Sequence, residues 1–270
     1  MLDYICFGSG SSGNSCLISG KNDAVIIDAG IGFRAMKKYL FKYCVDVEKV
    51  KGILITHDHA DHIASAGLLS RFLNVNLFVS PFVYNKLNGH STKYKVDNSL
   101  MTIIEAESSF NLGEFIITPF RIPHDASDNY GYSIKYGDEV FTLMTDIGRP
   151  TSILNHYIRK SNYLVIEADY DPDMLEANPR YDRMLKNRIV NGLGHLSNCQ
   201  ASDLLSSNYH DKLDFIALCH LSQENNTPTL AFNAVKMKLE EKMIHEGVDY
   251  KLEVLNRKQV SGPWTLGKSV

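Results

Sequence analysis

Residues 52–62 read Gly-Ile-Leu-Ile-Thr-His-Asp-His-Ala-Asp-His. The apolar run Gly52 to Ile55 predicts a buried strand, and Ile63 to Leu69 predicts a helix just beyond. Thr56 to His62 is then a loop at the carboxyl end of a strand, where α/β sheets place their sites. It carries three imidazoles and two carboxylates in seven residues. Borderline divalent metals prefer these ligands. His57 and His59 are two apart in an extended loop, so their rings can converge on one ion. Asp61 and His62 sit at the helix start and can face a second.

At 270 residues, the chain is long enough for one large domain or two small ones. We expect one domain over residues 1–270. Apolar content of 44% and charged content of 22% match a globular protein in water. No long apolar run predicts a membrane span. The start, Met1 to Phe7, lacks a basic segment and reads as a strand. The five cysteines are scattered, with no CxxC pair, and predict reduced thiols in the cytoplasm. A net charge of −3 does not favour broad nucleic-acid binding, so any such contact needs a local basic patch.

Taken in order, Gly8 to Ser15 is Gly/Ser-rich but ends in no GK[ST]. It reads as a tight turn between strands. Ala24 to Ile27 is a strand ending in Asp28, which by itself reads as a strand-end turn residue. Phe33, Met36 and Leu40 give residues 31–43 a helical apolar stripe. His90 reads as a surface residue. Met101 to Gly148 is β-rich, with His124 and Asp146 at strand ends. A helix over 151–160 and a strand over 163–168 follow, and residues 171–190 are mostly helical. Ser197-x-x-Gln200 is a capping box that starts a helix. His195 precedes it, and the positive helix end disfavours its protonation unless a carboxylate or phosphate offsets this. A buried strand from Leu213 ends before His220. Thr227-Pro228 starts a helix running to about Ile244. A strand over 250–255 and a tail close the chain.

The pattern His57-x-His59-x-Asp61-His62 resembles the signature of the metallo-β-lactamase superfamily. That resemblance implies an α/β fold, a four-layer αβ/βα sandwich with two metals at one edge. It implies His57, His59 and His124 on one ion, Asp61, His62 and His220 on the other, and Asp146 bridging both. Asp28 would support them from behind. The ions would be Zn, Mn or Fe, with a bridging hydroxide as nucleophile. His195 and Asp61 would be the catalytic groups, His195 serving the leaving group.

The ligand set narrows the branch. Asp146 in place of Cys is unlike antibiotic-hydrolysing members, and His59 in place of Glu is unlike di-iron redox members. Residues 147–219 are too few for the inserted domain of β-CASP nucleases. The stretches Gly8 to Asn14, Glu167 to Asp171, Leu185 to Ile189, Gly194 to Asn198 and His220 to Asn226 resemble the bacterial WalJ/YycJ exonuclease group. This implies DNA cleavage from 5′ to 3′. Leu143 stands where RNase Z-type enzymes carry a Glu, so no catalytic Glu is carried over. Hydrolysis of small or cyclic phosphodiesters is one alternative, and metal binding without catalysis is another. Arg180, Arg183 and Lys186 recur at helical spacing as one ridge, either a solvated face or a phosphate track.

Overall fold

The structure, a computed structural model, describes residues 1–89, 94 and 96–267. His90 lies outside the described residues. The chain divides into two compact units. The first takes Met1–Pro119, Ala126–Tyr130 and the stretch from Asn256 onward; the second takes Phe120–Asp125 and Gly131–Leu255.

In the first unit the strands are β1 (Leu2–Gly8), β2 (Ser15–Ser19), β3 (Ala24–Ile27), β4 (Val50–Leu54), β5 (Asn76–Val79), β6 (Met101–Ile103) and β14 (Ser261–Leu266). They form one mixed sheet in the order β14-β1-β2-β3-β4-β5-β6. From β3 to β6 the pairing is parallel. Parallel strands are covered on both faces and read as continuous apolar runs, which is why Ala24 to Ile27 is buried along its whole length. Helix α1 (Phe33–Lys42) puts Met36 and Leu40 into this core. Helices α2 (Ala60–Ile63), α3 (Ala66–Leu73) and α4 (Pro81–Gly89) follow β4 and β5. A hairpin of β7 (Phe110–Leu112) and β8 (Phe115–Arg121) turns at Gly113, whose φ of 60° suits glycine.

In the second unit β9 (Tyr130–Tyr136), β10 (Glu139–Met144), β11 (Tyr163–Glu167), β12 (Phe215–Cys219) and β13 (Lys251–Val254) run side by side in that order. β9 and β10 form an antiparallel hairpin, and the pairing from β10 to β13 is parallel. Helices α5 (Ser152–Ile158), α8 (Asn198–Asn208) and α9 (Pro228–Glu240) bury Leu154, Leu205 and Val235 in one core with Leu164, Ile166 and Ile216. Two shorter helices, α6 (Pro172–Ala177) and α7 (Arg183–Val190), precede α8. No helix among the described residues is long and apolar enough to cross a membrane.

The segment 171–190 is mostly helical as expected, in two helices separated by Asn178 to Asp182. Three sequence expectations need correction. The run from Ile63 to Leu69 is broken between α2 and α3, because Ser65 donates its N–H to Ala29 O instead of continuing the helix. α9 stops at Glu240, not near Ile244, with Met243 left-handed at φ 61°. No Gly or Asn marks that stop in the sequence. The tail is strand β14, antiparallel to β1, with Trp264 stacked on Tyr4 at 5.6 Å. Pro263 is accommodated because β14 lies at the sheet edge, where proline is tolerated.

The expected α9 cap is present: Thr227 accepts a hydrogen bond from Leu230 N at 3.2 Å, with proline in the first turn. Thr227→Ala should lower stability by about 1 kcal/mol. Urea unfolding should show a lower midpoint at unchanged slope, and an unshifted midpoint would refute the cap's contribution.

Candidate metal centre

In the first unit, parallel pairing of β3 with β4 sets Asp28 beside Thr56. Asp28 has a left-handed φ of 60°, a conformation Asp adopts more readily than most residues. Its Oδ1 accepts from Thr56 N at 2.8 Å, and its Oδ2 accepts from His62 Nδ1 at 2.7 Å. Burial raises the Asp28 pKa, against the opposing pull of His62. The bond to Nδ1 fixes the tautomer and leaves Nε2 as the unprotonated nitrogen of His62, the form a metal ligand needs. Asp28 thus makes with His62 the contact that the resemblance implies for it.

The His57 ring lies 4.6 Å from that of His59 and 4.0 Å from that of His62, centroid to centroid. Asp61 Oδ2 is 3.6 Å from His62 Nε2. Asn14 donates to His62 Nε2 at 2.9 Å and to Asp61 Oδ2 at 3.2 Å. The Gly/Ser-rich stretch is thus the expected turn between β1 and β2, and its Asn14 also reaches two of the expected ligands. Gly30 permits this approach, since a Cβ there would lie 1.5 Å from Asp61 O. Asp58, the other carboxylate of the motif, plays a different part. It is buried, ion-paired with Lys86 at 2.8 Å and hydrogen-bonded by the Ser127 hydroxyl. Burial pushes its pKa up, but these partners outweigh burial and lower it.

In the second unit, parallel register brings the ends of β10, β11 and β12 together, so Asp146, Glu167 and His220 share one edge. Asp146 and His220 both take left-handed φ, 54° and 55°. Asp146 Oδ1 lies 3.5 Å from His220 Nε2, 3.7 Å from His124 Nε2 and 3.8 Å from His195 Nδ1. His124 donates from Nδ1 to Gly194 O at 3.0 Å, which leaves its Nε2 as the ligand atom. Asp146, Glu167, His195 and His220 each offer an atom within 4.8 Å of the others. Imidazole and carboxylate without thiolate suit Zn, Mn or Fe, so the donor set fits a divalent ion.

Glu167 is the residue that sequence reasoning missed. Its fully buried carboxylate accepts from Ile147 N at 2.7 Å, Leu196 N at 3.0 Å and His195 Nδ1 at 2.8 Å. These bonds engage both oxygens, so Glu167 orients His195. Burial raises the Glu167 pKa, with His195 opposing. For His195, burial pulls the pKa down, but the charges of Glu167 and Asp169 prevail and push it up to about 9. The helix start was expected to disfavour protonation; the offsetting carboxylate named as the exception is present. A charged residue closing the apolar run Tyr163 to Ile166 was the available signal.

The capping box of Ser197 and Gln200 forms as expected. The basic ridge does not. Arg180 precedes α7 and pairs with Glu224 at 2.7 Å, while Lys186 Nζ donates to Glu176 O. Of the three, Arg183 and Lys186 alone share α7. His156 packs edge-on to Tyr157 and His210 lies against Ile158 O, both outside the metal-ligand groups.

Known proteins resemble this chain in sequence and in fold. The family described as beta-lactamase superfamily domain matches residues 23–208. The chain is 30% identical over 249 residues to exodeoxyribonuclease WalJ of Streptococcus pneumoniae, covering 92% of each chain. It is 28% identical over 241 residues to exodeoxyribonuclease YycJ of Bacillus anthracis, covering 89% of this chain and 90% of that one. Among solved structures, the metallo-beta-lactamase fold protein YhfI of Bacillus subtilis aligns with a TM-score of 0.71 at 14% identity, over 97% of this chain and all of that one. That likeness shows the fold.

Removing the charge at Asp28 tests the support it gives His62. Asp28→Asn should weaken metal affinity by about 10–100-fold. Equilibrium dialysis against a metal buffer measures this, with circular dichroism to confirm the fold. Unchanged affinity would make Asp28 a turn residue and nothing more.

Proposed function

The chain belongs to the metallo-β-lactamase superfamily, and from that premise we propose that it is an exodeoxyribonuclease cutting DNA from the 5′ end at two divalent metal ions. It is a metal-dependent hydrolase. The relatives that match 92% and 89% of the chain are named as enzymes, which sets aside metal binding without catalysis. The observation that carries the reading is the Glu167–His195 pair beside Asp146 and His220. Phosphodiester cleavage needs a proton for the departing oxygen close to the groups that hold the phosphate. An imidazole whose Nδ1–H is held by a buried carboxylate, with Nε2 left to face the substrate, is positioned to answer that need.

In this reading His57, His59 and His124 hold one ion, Asp61, His62 and His220 hold the other, and Asp146 serves both. When bound, the ions supply charge neutralisation at the phosphoryl oxygens and a hydroxide made from water near neutral pH. The protein does the rest. Asp28 and Gly194 O fix the tautomers of His62 and His124 through their Nδ1 atoms. Asp61, tied to Asn14, orients the attacking water. Glu167 accepts from His195 Nδ1, which leaves Nε2 to pass its proton to the leaving oxygen. Arg183 and Lys186 on α7 contact phosphates further along the strand.

Two substitutions separate these roles. Asp146→Ala should lose activity together with one or more ions, with the fold retained. His195→Ala should keep its metal and lose about 10²–10⁴-fold in turnover. Metal analysis and digestion of DNA labelled at either end, with Mn, Zn or Mg added, read both. Loss of metal from His195→Ala would make His195 a ligand. Label release from the 3′ end first would reverse the polarity. Preference for a cyclic dinucleotide over DNA would replace the substrate assignment.

A further inference from the structure

We propose that Arg188 grips the phosphate next to the one being cleaved, so that the enzyme is built for a polynucleotide end and not for an isolated phosphodiester. The inference rests on the nuclease reading above and adds a residue to it. Arg188 lies in the last turn of α7. Its Nε donates to Asp125 Oδ2 at 2.6 Å, and Asp125 Oδ1 lies 3.4 Å from His124 Nε2. The guanidinium is thus one carboxylate removed from an expected metal ligand.

The surrounding backbone holds this spacing. His124 donates to Gly194 O, and His195 N donates to Ile189 O at 3.0 Å. Gly194 lies so close to the end of α7 that a Cβ would sit 2.4 Å from Arg188 O and 2.2 Å from Ile189 O. The last turn of α7, His124 and His195 are therefore locked into one piece. Only one nitrogen of Arg188 is engaged. Both Nη groups have no protein partner among the described residues, and the side chain is 61% exposed. A guanidinium held by Nε presents its other edge as a two-pronged donor, the geometry that matches a phosphate. Asp125 alone would repel an anionic substrate at the rim of the site; its pairing with Arg188 turns that point into an anion contact. An exposed ion pair contributes little to stability, so the value of this one lies in what the free edge can bind. Because Asp125 stands between Arg188 and His124, the phosphate within reach is the neighbour of the one held by the metal ligands.

The test pairs a protein change with a substrate change. The holoenzyme and its Arg188→Ala variant are assayed on an end-labelled oligonucleotide. They are assayed again with a neutral methylphosphonate replacing the phosphate on either side of the scissile one, and on bis(p-nitrophenyl) phosphate. A charge-assisted contact predicts that the variant loses about 10–100-fold in kcat/KM on the oligonucleotide. The wild type should lose a similar factor when one of the two neighbouring phosphates is neutral, and the variant should lose nothing more from that change. Metal content and cleavage of the small diester should match the wild type. Additive losses at both positions, or a variant equal to the wild type on the oligonucleotide, would overturn the proposal. Loss of metal in the variant would also overturn it, by assigning Arg188 to support of His124. A wild-type holoenzyme that cleaves neither substrate would instead overturn the nuclease reading, and this proposal with it.

Discussion

A single buried carboxylate organises the second unit. Glu167 ends β11 between two parallel neighbours, and its oxygens gather the loops after β10 and before α8 through Ile147 N, Leu196 N and His195 Nδ1. An ionised carboxylate without partners is costly at that depth. Three donors offset the cost, and each comes from a loop carrying a functional residue: Asp146 precedes Ile147, and His195 precedes Leu196. Losing the carboxylate would release those loops together.

The first unit solves the same problem in the same way. Asp28 ends β3, is buried, and accepts from Thr56 and from His62 Nδ1. In both units a buried acid at the carboxyl end of a strand holds an imidazole by Nδ1, at 2.7 Å for His62 and 2.8 Å for His195. The surroundings differ: His62 also meets Thr56 and Asn14, whereas His195 also lies in the field of Asp169, which together with Glu167 pushes its pKa up.

Three of the seven non-glycine residues with left-handed φ among the described residues sit where these groups do. Asp28, Asp146 and His220 all take left-handed φ just past strand ends. Such conformations cost about 1–3 kcal/mol each and persist where the surroundings over-determine them. Here they turn the chain sharply, so that a side chain leaving a buried strand points along the sheet edge. Gly30 and Gly194 serve the same end by letting backbone approach backbone at Asp61 and at the end of α7.

Much of the site was legible in the sequence. His124, Asp146 and His220 each follow a strand, a weak signal alone, and the family resemblance singled them out; His57, His59, Asp61 and His62 lie within one short loop after an apolar run, so spacing pointed to them. The turn at Gly8 to Ser15, the Ser197 capping box and the start of α9 at Thr227 were readable for the same reason, being local in sequence. The roles of Asn14, Glu167 and Arg188 were not. Each depends on a partner brought close by strand register or loop packing: Asn14 on Asp61 and His62, Glu167 on His195, Arg188 on Asp125. The basic ridge failed because Asn178 to Asp182 breaks the helix and Glu224 takes Arg180. The sequence by itself determined which side chains could bind metal, because ligand chemistry belongs to the residue and to its immediate neighbours. Only the tertiary structure decided which acid holds which imidazole, and with it the proton each carries, because a buried hydrogen bond exists only where folding puts donor and acceptor within about 3 Å.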